Sequence, residues 1–484
     1  MQTTRRNLLK GAGAAIAGVA LPARFARAAN APPGPVIVKL ANYMAEAAGR
    51  ALPGEVVEKT KHHILDTLAA MVSGADLPPG RVALALAKAH PGEKTATVVG
   101  TNLLCGPIEA AMCNGMLAHS DETDDSHAPS QSHPGCSIVP ATLAASEQFG
   151  VDGTRMLRAV ALGYDIGTRV TMTLGALEYQ MTTHHSSHSI AGDFGSAAAA
   201  GCVAGLNPQQ MRWILDYAAQ QAAGMAAWQR DTQHIEKSLV FAGWPARNGV
   251  TAALLIQIGG TGVDDILSGS DNFLLTFAPK ADPEGLIDKL GERYEITRTN
   301  IKKWTVGSPI QAPLDALELI RKKHPFEAAQ VKTVVVRLAT SDANTVNNRD
   351  MPDISLQHMV AVMLLDKTAS FAAAHDKPRM QDPAVLRERA KVQLIFDEAL
   401  EKLHPMRVGI VEVTLTDGTK LVERIEAVRG TAENPMPREE VVAKARDLIT
   451  PALGADKTGK LIEKILTLEN VKDVRELRPL LQKA

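Results

Sequence analysis

The stretch from His119 to Pro140, HSDETDDSHAPSQSHPGCSIVP, limits what this chain can become more than any other part of it. It carries Asp121, Glu122, Asp124 and Asp125 together with His119, His127 and His133, while Pro129, Pro134 and several serines keep most of it from being helix. The flanks, CNGMLA before and ATLAASEQF after, are small-residue apolar segments that predict packed helices. A charged loop held between two buried helices is costly unless it lines a cleft, because buried charges need partners. The plainer alternative is a solvated acidic surface loop; the expectation is an active-site loop.

The rest of the chain is long enough for two or three domains. From Gly34 to about Asp288 it predicts consecutive helices. Val57, Ile64, Leu65, Leu68 and Ala69 share one face of a helix over 56–72, with Gly74 as a stop. Thr154–Arg169 continues the theme. Asn207-Pro208-Gln209-Gln210 is a helix start, with a cap, a first-turn proline and a glutamine at the third position. Its helix is expected to reach about Ala223, and another covers 246–258. Gly192–Gly205 is so rich in Ala and Gly that it must pack against close neighbours.

The pattern changes near Lys302. VKTVVVRLA, 331–339, alternates and is β-branched, which predicts a strand. Segments 408–416 and 420–428 flank Asp417-Gly418, a hairpin signal. Helices are expected at about 356–365 and 383–388, and again from Arg438 onward. The predicted fold class is mostly α with a smaller α+β domain. A large helical domain (34–296) is interrupted by an α+β lid domain (297–430), and the C-terminal helices (431–484) return to the helical body.

Lys+Arg 52 against Asp+Glu 53 leaves a formal charge of −1, which gives no reason to expect a nucleic-acid partner. At the start, Arg5-Arg6, an apolar run from Gly11 to Leu21 and Ala26-Arg27-Ala28 predict a twin-arginine signal peptide over 1–28. The expected location is the periplasm, with no stable membrane insertion after cleavage. Cys105, Cys113, Cys136 and Cys202 form no C-x-x-C pair, and small buried residues are their expected role.

The residues also suggest a chemistry. A small polycarboxylate substrate needs cationic anchors, for which Lys237, Arg247 and Lys303 are candidates. Removing a proton next to a carboxylate needs a base tuned near neutral pH, which histidine supplies most readily. His133, His185 and His358 could share the proton transfers, with Glu122 or Asp125 orienting an imidazole. Each has a bland alternative: Lys237 as a surface lysine, Glu122 and Asp125 as capping or solvated acids, His358 as a core histidine between Leu356 and Val360. Two rival functions are a metal hydrolase using His184, His185 and His188, and a periplasmic carboxylate-binding protein. The first lacks an H-E-x-x-H and the second lacks repeated β-α units; no nucleotide-binding or G-x-S-x-G motif is present.

Several segments follow one another in a recognisable order: His119–Pro140, Gly163-Tyr164-Asp165, IAGDFGSAAA at 190–199, KSLVFAGWPARNGVTAA at 237–253, 302–319 and 355–366. Together they resemble the MmgE/PrpD family, which includes 2-methylcitrate dehydratase and cis-aconitate decarboxylase, over roughly 37–470. The resemblance implies a helical domain, an α+β lid, a homodimer and no cofactor or metal. It places the family's acid and threonine at Glu122 and Ser126, its loop histidine at His133, its second histidine at His185 or His188, and its lysines at Lys237 and at Lys302 or Lys303. The family's Cys and His that follow are replaced by Val306 or Gly307 and by Gln311, and its lid tyrosine by His358. The implied catalytic set is His133, His185, Glu122, Ser126 and His358; the substrate-binding set is Lys237, Lys302, Lys303, Gln311, His188, Asp125 and Arg247.

The expected activity is that of a cofactor-independent, dehydratase-like lyase on a small di- or tricarboxylic acid. Epimerisation, isomerisation or decarboxylation of a related acid is the alternative. Because glutamine cannot exchange a proton readily, the changes at Gln311 and His358 predict poor activity on 2-methylcitrate and cis-aconitate and better activity on a related acid. If both positions lie away from substrate, the changes are neutral packing swaps.

Overall fold

Helix boundaries follow local chemistry. Asn207 Oδ1 accepts from Gln210 N and Gln210 Oε1 accepts from Asn207 N, both at 3.0 Å, so two orphan donors at the start of Pro208–Gln221 are satisfied. Asp152 caps Gly153–Leu174 by accepting from Arg155 N at 2.7 Å, and Gly175, at φ 110°, ends it in the left-handed region. The computed structural model describes residues 32–483. The expected leader at 1–28 lies outside the described residues.

Helices from Pro35–Glu46 to Trp244–Gln257 bury their apolar faces in one core. At its centre Gly153–Leu174 packs against Ser187–Ala204 backbone to backbone. A Cβ added at Gly167 would sit 2.2 Å from Ala191 O, and one at Gly163 would sit 2.8 Å from Gly195 O. The Ala/Gly-rich composition of the second helix thus reflects a contact too close for larger side chains. The helical run from Ile235 to Gln257 is long and apolar enough to cross a membrane by length and composition, but 67% of its most apolar window is buried inside the protein. It serves as a core helix, interrupted by one π-helical turn at Leu239–Gly243.

A second core spans Trp304 to Val428. It is built on a four-stranded mixed sheet in the order Val392–Asp397, Val331–Ala339, Gly409–Leu415, Lys420–Ile425. The first pair is parallel and the other two are antiparallel. Gly418 turns the hairpin at φ 91°, as the Asp-Gly pair predicts. The parallel strand Val392–Asp397 has no counterpart in the sequence reading. Its consecutive exposed Ile395 and Phe396 break the expected alternation, and its pairing comes from a distant segment.

After Ile425 the chain returns to the helical body. Val441, Leu448 and Ile449 of Arg438–Leu453 join the first core, packing on Gly54–Gly74. The protein is therefore mostly α with a small α+β part, its C-terminal helices lying on the helical body. Where the chain leaves and rejoins that body, Ile301 N donates to Gly430 O at 3.0 Å. Gly430 has φ 98°, and a Cβ there would fall 1.8 Å from Ile301 O.

Candidate active site

The acidic loop is not a solvated surface. Asp124, Asp125, His119 and His127 are 0% exposed, and Glu122 is 5% exposed. Neighbouring elements supply a partner for each charge. Asp125 accepts from Tyr164 Oη at 2.5 Å and Gly135 N at 2.9 Å, and lies 2.7 Å from His63 Nδ1. Lys444 of the returning helix donates to Thr123 O at 2.9 Å and pairs with Asp66 at 2.7 Å. His127 Nε2 lies 3.3 Å from Glu295. Helix resumes at Gly135 with Pro134 as its N-cap, so the last six residues of the expected loop are helical.

Between the loop and the helices an imidazole cluster gathers around Phe241. The π turn carries Phe241 into it, where the ring stacks on His188 (centroids 3.9 Å apart) and on His119 (4.9 Å). His133 lies 5.1 Å from His119 and 5.2 Å from His188. His234, held in the left-handed region at φ 64°, brings a fourth imidazole 5.0 Å from His119. Such π turns insert one residue into a helix and recur at functional sites.

Charge converges on the same place. Lys237 Nζ bonds Glu122 Oε1, and Lys302 Nζ donates to Glu122 O at 2.8 Å while lying 3.4 Å from Oε2. Burial pushes the Glu122 carboxyl up, but Lys237 and Lys302 beside it hold it well below the usual carboxylate range. Asp124 is likewise burdened by burial yet held well down by His119 and His133, which it meets at 3.0 and 3.2 Å. Burial lowers the pKa of His133 against the pull of Asp124. It lowers His188 and His234 further, each helped by nearby cations. These three are neutral imidazoles at pH 7, able to accept a proton.

Of the residues singled out in the sequence, the structure brings Glu122, His133, His188, Lys237 and Lys302 together. Others lie elsewhere for identifiable reasons. His185 is turned to Tyr179 Oη at 2.7 Å and to the Phe277 ring, so His188 occupies the cluster in its place. His184 is exposed, which separates the three histidines of the metal-hydrolase alternative. His358 is enclosed in the second core, where burial and then Arg389 and Arg379 push it down to about 4. Gln311 brackets the backbone at Trp304 and Val306. Lys303 pairs with Glu318 at 2.6 Å. Arg247 donates to Asn248 and lines a surface cleft with Leu86 and Met112. Asp125 is consumed by its three structural partners, and Ser126 pairs its backbone with Asn300.

Sequence reasoning missed four participants. His119 and Asp124 belong to the loop it singled out, but nothing in the spacing says which of seven side chains point together. His234 depends on an unusual backbone conformation. His375 reaches the loop from the second core, its Nε2 2.8 Å from Asp121 Oδ2. Behind it, burial raises the Asp353 carboxyl to about 7.

Comparison with known proteins places this geometry in a wider group. Residues 38–286 match the model of the MmgE/PrpD N-terminal domain, and residues 304–470 that of the MmgE/PrpD C-terminal domain. Cis-aconitate decarboxylase from Aspergillus terreus is 25% identical over 480 residues, covering 92% of this chain and 96% of the relative. Cis-aconitate decarboxylase from Homo sapiens is 26% identical over 450 residues, covering 89% and 91%.

Proposed function

Because the chain belongs to the MmgE/PrpD family, we propose that it is a lyase acting on a small di- or tricarboxylic acid by proton abstraction next to a carboxylate. The observation that carries this is the convergence of two ammonium groups, Lys237 and Lys302, on one buried carboxylate beside neutral imidazoles. A substrate carboxylate competing with Glu122 for these lysines would find both a countercharge and a low-dielectric setting that strengthens it.

His133 is the base in this reading. Its Nδ1 faces the Asp124 carboxylate, which orients the ring and stabilises the imidazolium formed when it takes the proton. The electron pair left on carbon spreads into the adjacent carboxylate, whose growing charge the lysines bind more tightly. Collapse of that pair expels hydroxide from the neighbouring carbon, giving an alkene. The His133 imidazolium passes its proton to the hydroxide, and the neutral His188 ring beside it can accept a hydrogen bond from the water so formed. For decarboxylation no proton is removed first: CO2 departs, its electrons pass through the conjugated system, and His133, protonated from solvent, delivers a proton to carbon. Cofactor independence is part of this proposal, since proton transfers and charge binding suffice for either course.

The relatives are named for cis-aconitate decarboxylation, and the structure removes one reason to set that acid aside. Gln311 and His358, whose departures from the family pattern predicted altered specificity, both lie outside the cluster. The neutral-packing alternative therefore gains weight, and cis-aconitate heads the panel to be tested. Proton NMR in D2O against a panel of di- and tricarboxylic acids tests the reading. Deuterium incorporation or product formation with one of them is expected; no exchange with any would overturn it. Export through Arg5-Arg6 and a homodimeric state remain proposals, checked by cell fractionation and by light scattering.

A further inference from the structure

The proton chemistry above leaves two imidazole nitrogens of the cluster unused. Nε2 of His119 and Nε2 of His234 are both enclosed by protein and have no hydrogen-bond partner. His119 is 0% and His234 4% exposed. With Glu122 they form a set whose ligand atoms, one from each residue, all lie within 4.8 Å of one another. His234 Nε2 is 3.8 Å from Glu122 Oε1.

The tautomer of His119 is fixed by its neighbour. Its Nδ1 lies 3.0 Å from Asp124 Oδ2, and a carboxylate can only accept, so Nδ1 carries the proton and Nε2 presents a lone pair. A carboxylate behind an imidazole is the arrangement that orients ligand histidines in metal sites. Two imidazole nitrogens and one carboxylate oxygen, with a fourth position open, is a donor set that suits zinc and similar cations. Donor separations would have to shrink by about an ångström, since tetrahedral metal–nitrogen bonds are about 2.0–2.1 Å long.

One group stands in the way. Lys237 holds Glu122 Oε1, and a dication cannot share that oxygen with an ammonium. Lys302 is anchored to Glu122 O and its side chain is 2% exposed, whereas that of Lys237 is 14% exposed and lies over Trp228 and Phe241. Lys237 is the cation that can leave.

We propose that His119, Glu122 and His234 form a site for a zinc-class divalent cation, filled only when Lys237 releases Glu122. A substrate carboxylate that draws Lys237 away from Glu122 therefore opens the site to the cation; that second clause rests on the proposed function, whereas the site itself does not.

The two halves have separate tests. Metal-free protein is titrated with Co2+, following the visible absorption of a low-symmetry cobalt site, and with Zn2+ by calorimetry. One cation per chain is expected. Lys237→Met should bind it at least tenfold more tightly, since the competing ammonium is gone, and His234→Gln should bind at least tenfold more weakly. No stoichiometric binding in either wild type or Lys237→Met, or equal binding in His234→Gln, overturns the site. Circular dichroism confirms folding of each variant; His119→Gln serves as a second ligand variant should His234→Gln fail to fold. Once a turned-over acid is known, its saturating presence should tighten Zn2+ binding to the wild type, and unchanged or weaker binding overturns this coupling while leaving both the site and the lyase reading standing.

Discussion

His375 Nε2 lies 2.8 Å from Asp121 Oδ2, joining the short helix Phe371–His375 of the second half to the acidic loop of the first. Burial alone would lower this imidazole's pKa, but Asp121 and Asp353 outweigh burial and raise it to about 9. A histidine whose folded value exceeds its unfolded value near 6.5 stabilises fully below 6.5, and that contribution is lost as pH rises through 9. Asp353, near 7, has finished most of its own titration by then. The melting temperature should therefore fall between pH 7 and 9.5, and His375→Gln should flatten that slope. An unchanged slope in the variant would remove the pair from the account.

Lys237→Ala should lower kcat/KM about 100-fold or more, a loss of roughly 2.7 kcal/mol of transition-state binding. Its fold should survive, because Glu122, its one ion-pair partner, keeps Lys302 beside it when Lys237 is gone. Lys302→Ala should cost activity and also roughly 1–3 kcal/mol of stability, since it leaves the buried Glu122 carbonyl without its donor. Steady-state kinetics and urea denaturation of both variants decide this; equal stability losses would blur the distinction drawn between them.

Much of this was legible in the sequence wherever the signal is local. Asn207 announces its helix, Asp417-Gly418 its hairpin, and Val331–Ala339 its strand, because caps, turns and alternation act over a few residues. The acidic loop stood out because charge beside small apolar helices demands burial with partners. What could not be read is set by distant chain. Val392–Asp397 becomes a strand by pairing with a segment some sixty positions earlier. Lys302 and Lys303 are adjacent in sequence, yet one meets Glu122 and the other Glu318, a choice made by packing. His188 displaces His185 because Phe241, shifted by a π turn, offers its face to the former.

Asp125→Asn should act on stability rather than on chemistry. Its carboxylate serves Tyr164, Gly135 and His63, so an amide would turn one acceptor into a donor facing other donors. A loss of about 2–4 kcal/mol is expected in denaturant unfolding, as for a broken buried network. Activity per folded molecule should stay within about threefold of wild type, in contrast to Lys237→Ala.

Gly167→Ala probes the helix pair beneath the site. The new methyl would fall 2.2 Å from Ala191 O, and backbone cannot move aside as a side-chain tip can. Overpacking of this kind typically costs about 1–3 kcal/mol. A shift in thermal midpoint reports it; a neutral substitution would mean the two helices are more loosely apposed than they are here.

The hydrogen bond from Ile301 to Gly430 brings the two ends of a segment of more than a hundred residues to one point. In polymer terms the sheet-bearing half is a closed loop on a continuous helical chain, and its ends need no span to be joined. Evolution can accordingly lengthen, shorten or exchange that loop without rethreading the rest. The helical half keeps its own core through helices contributed from both sides of the insertion. The acidic loop and the inserted half are thus free to change at different rates.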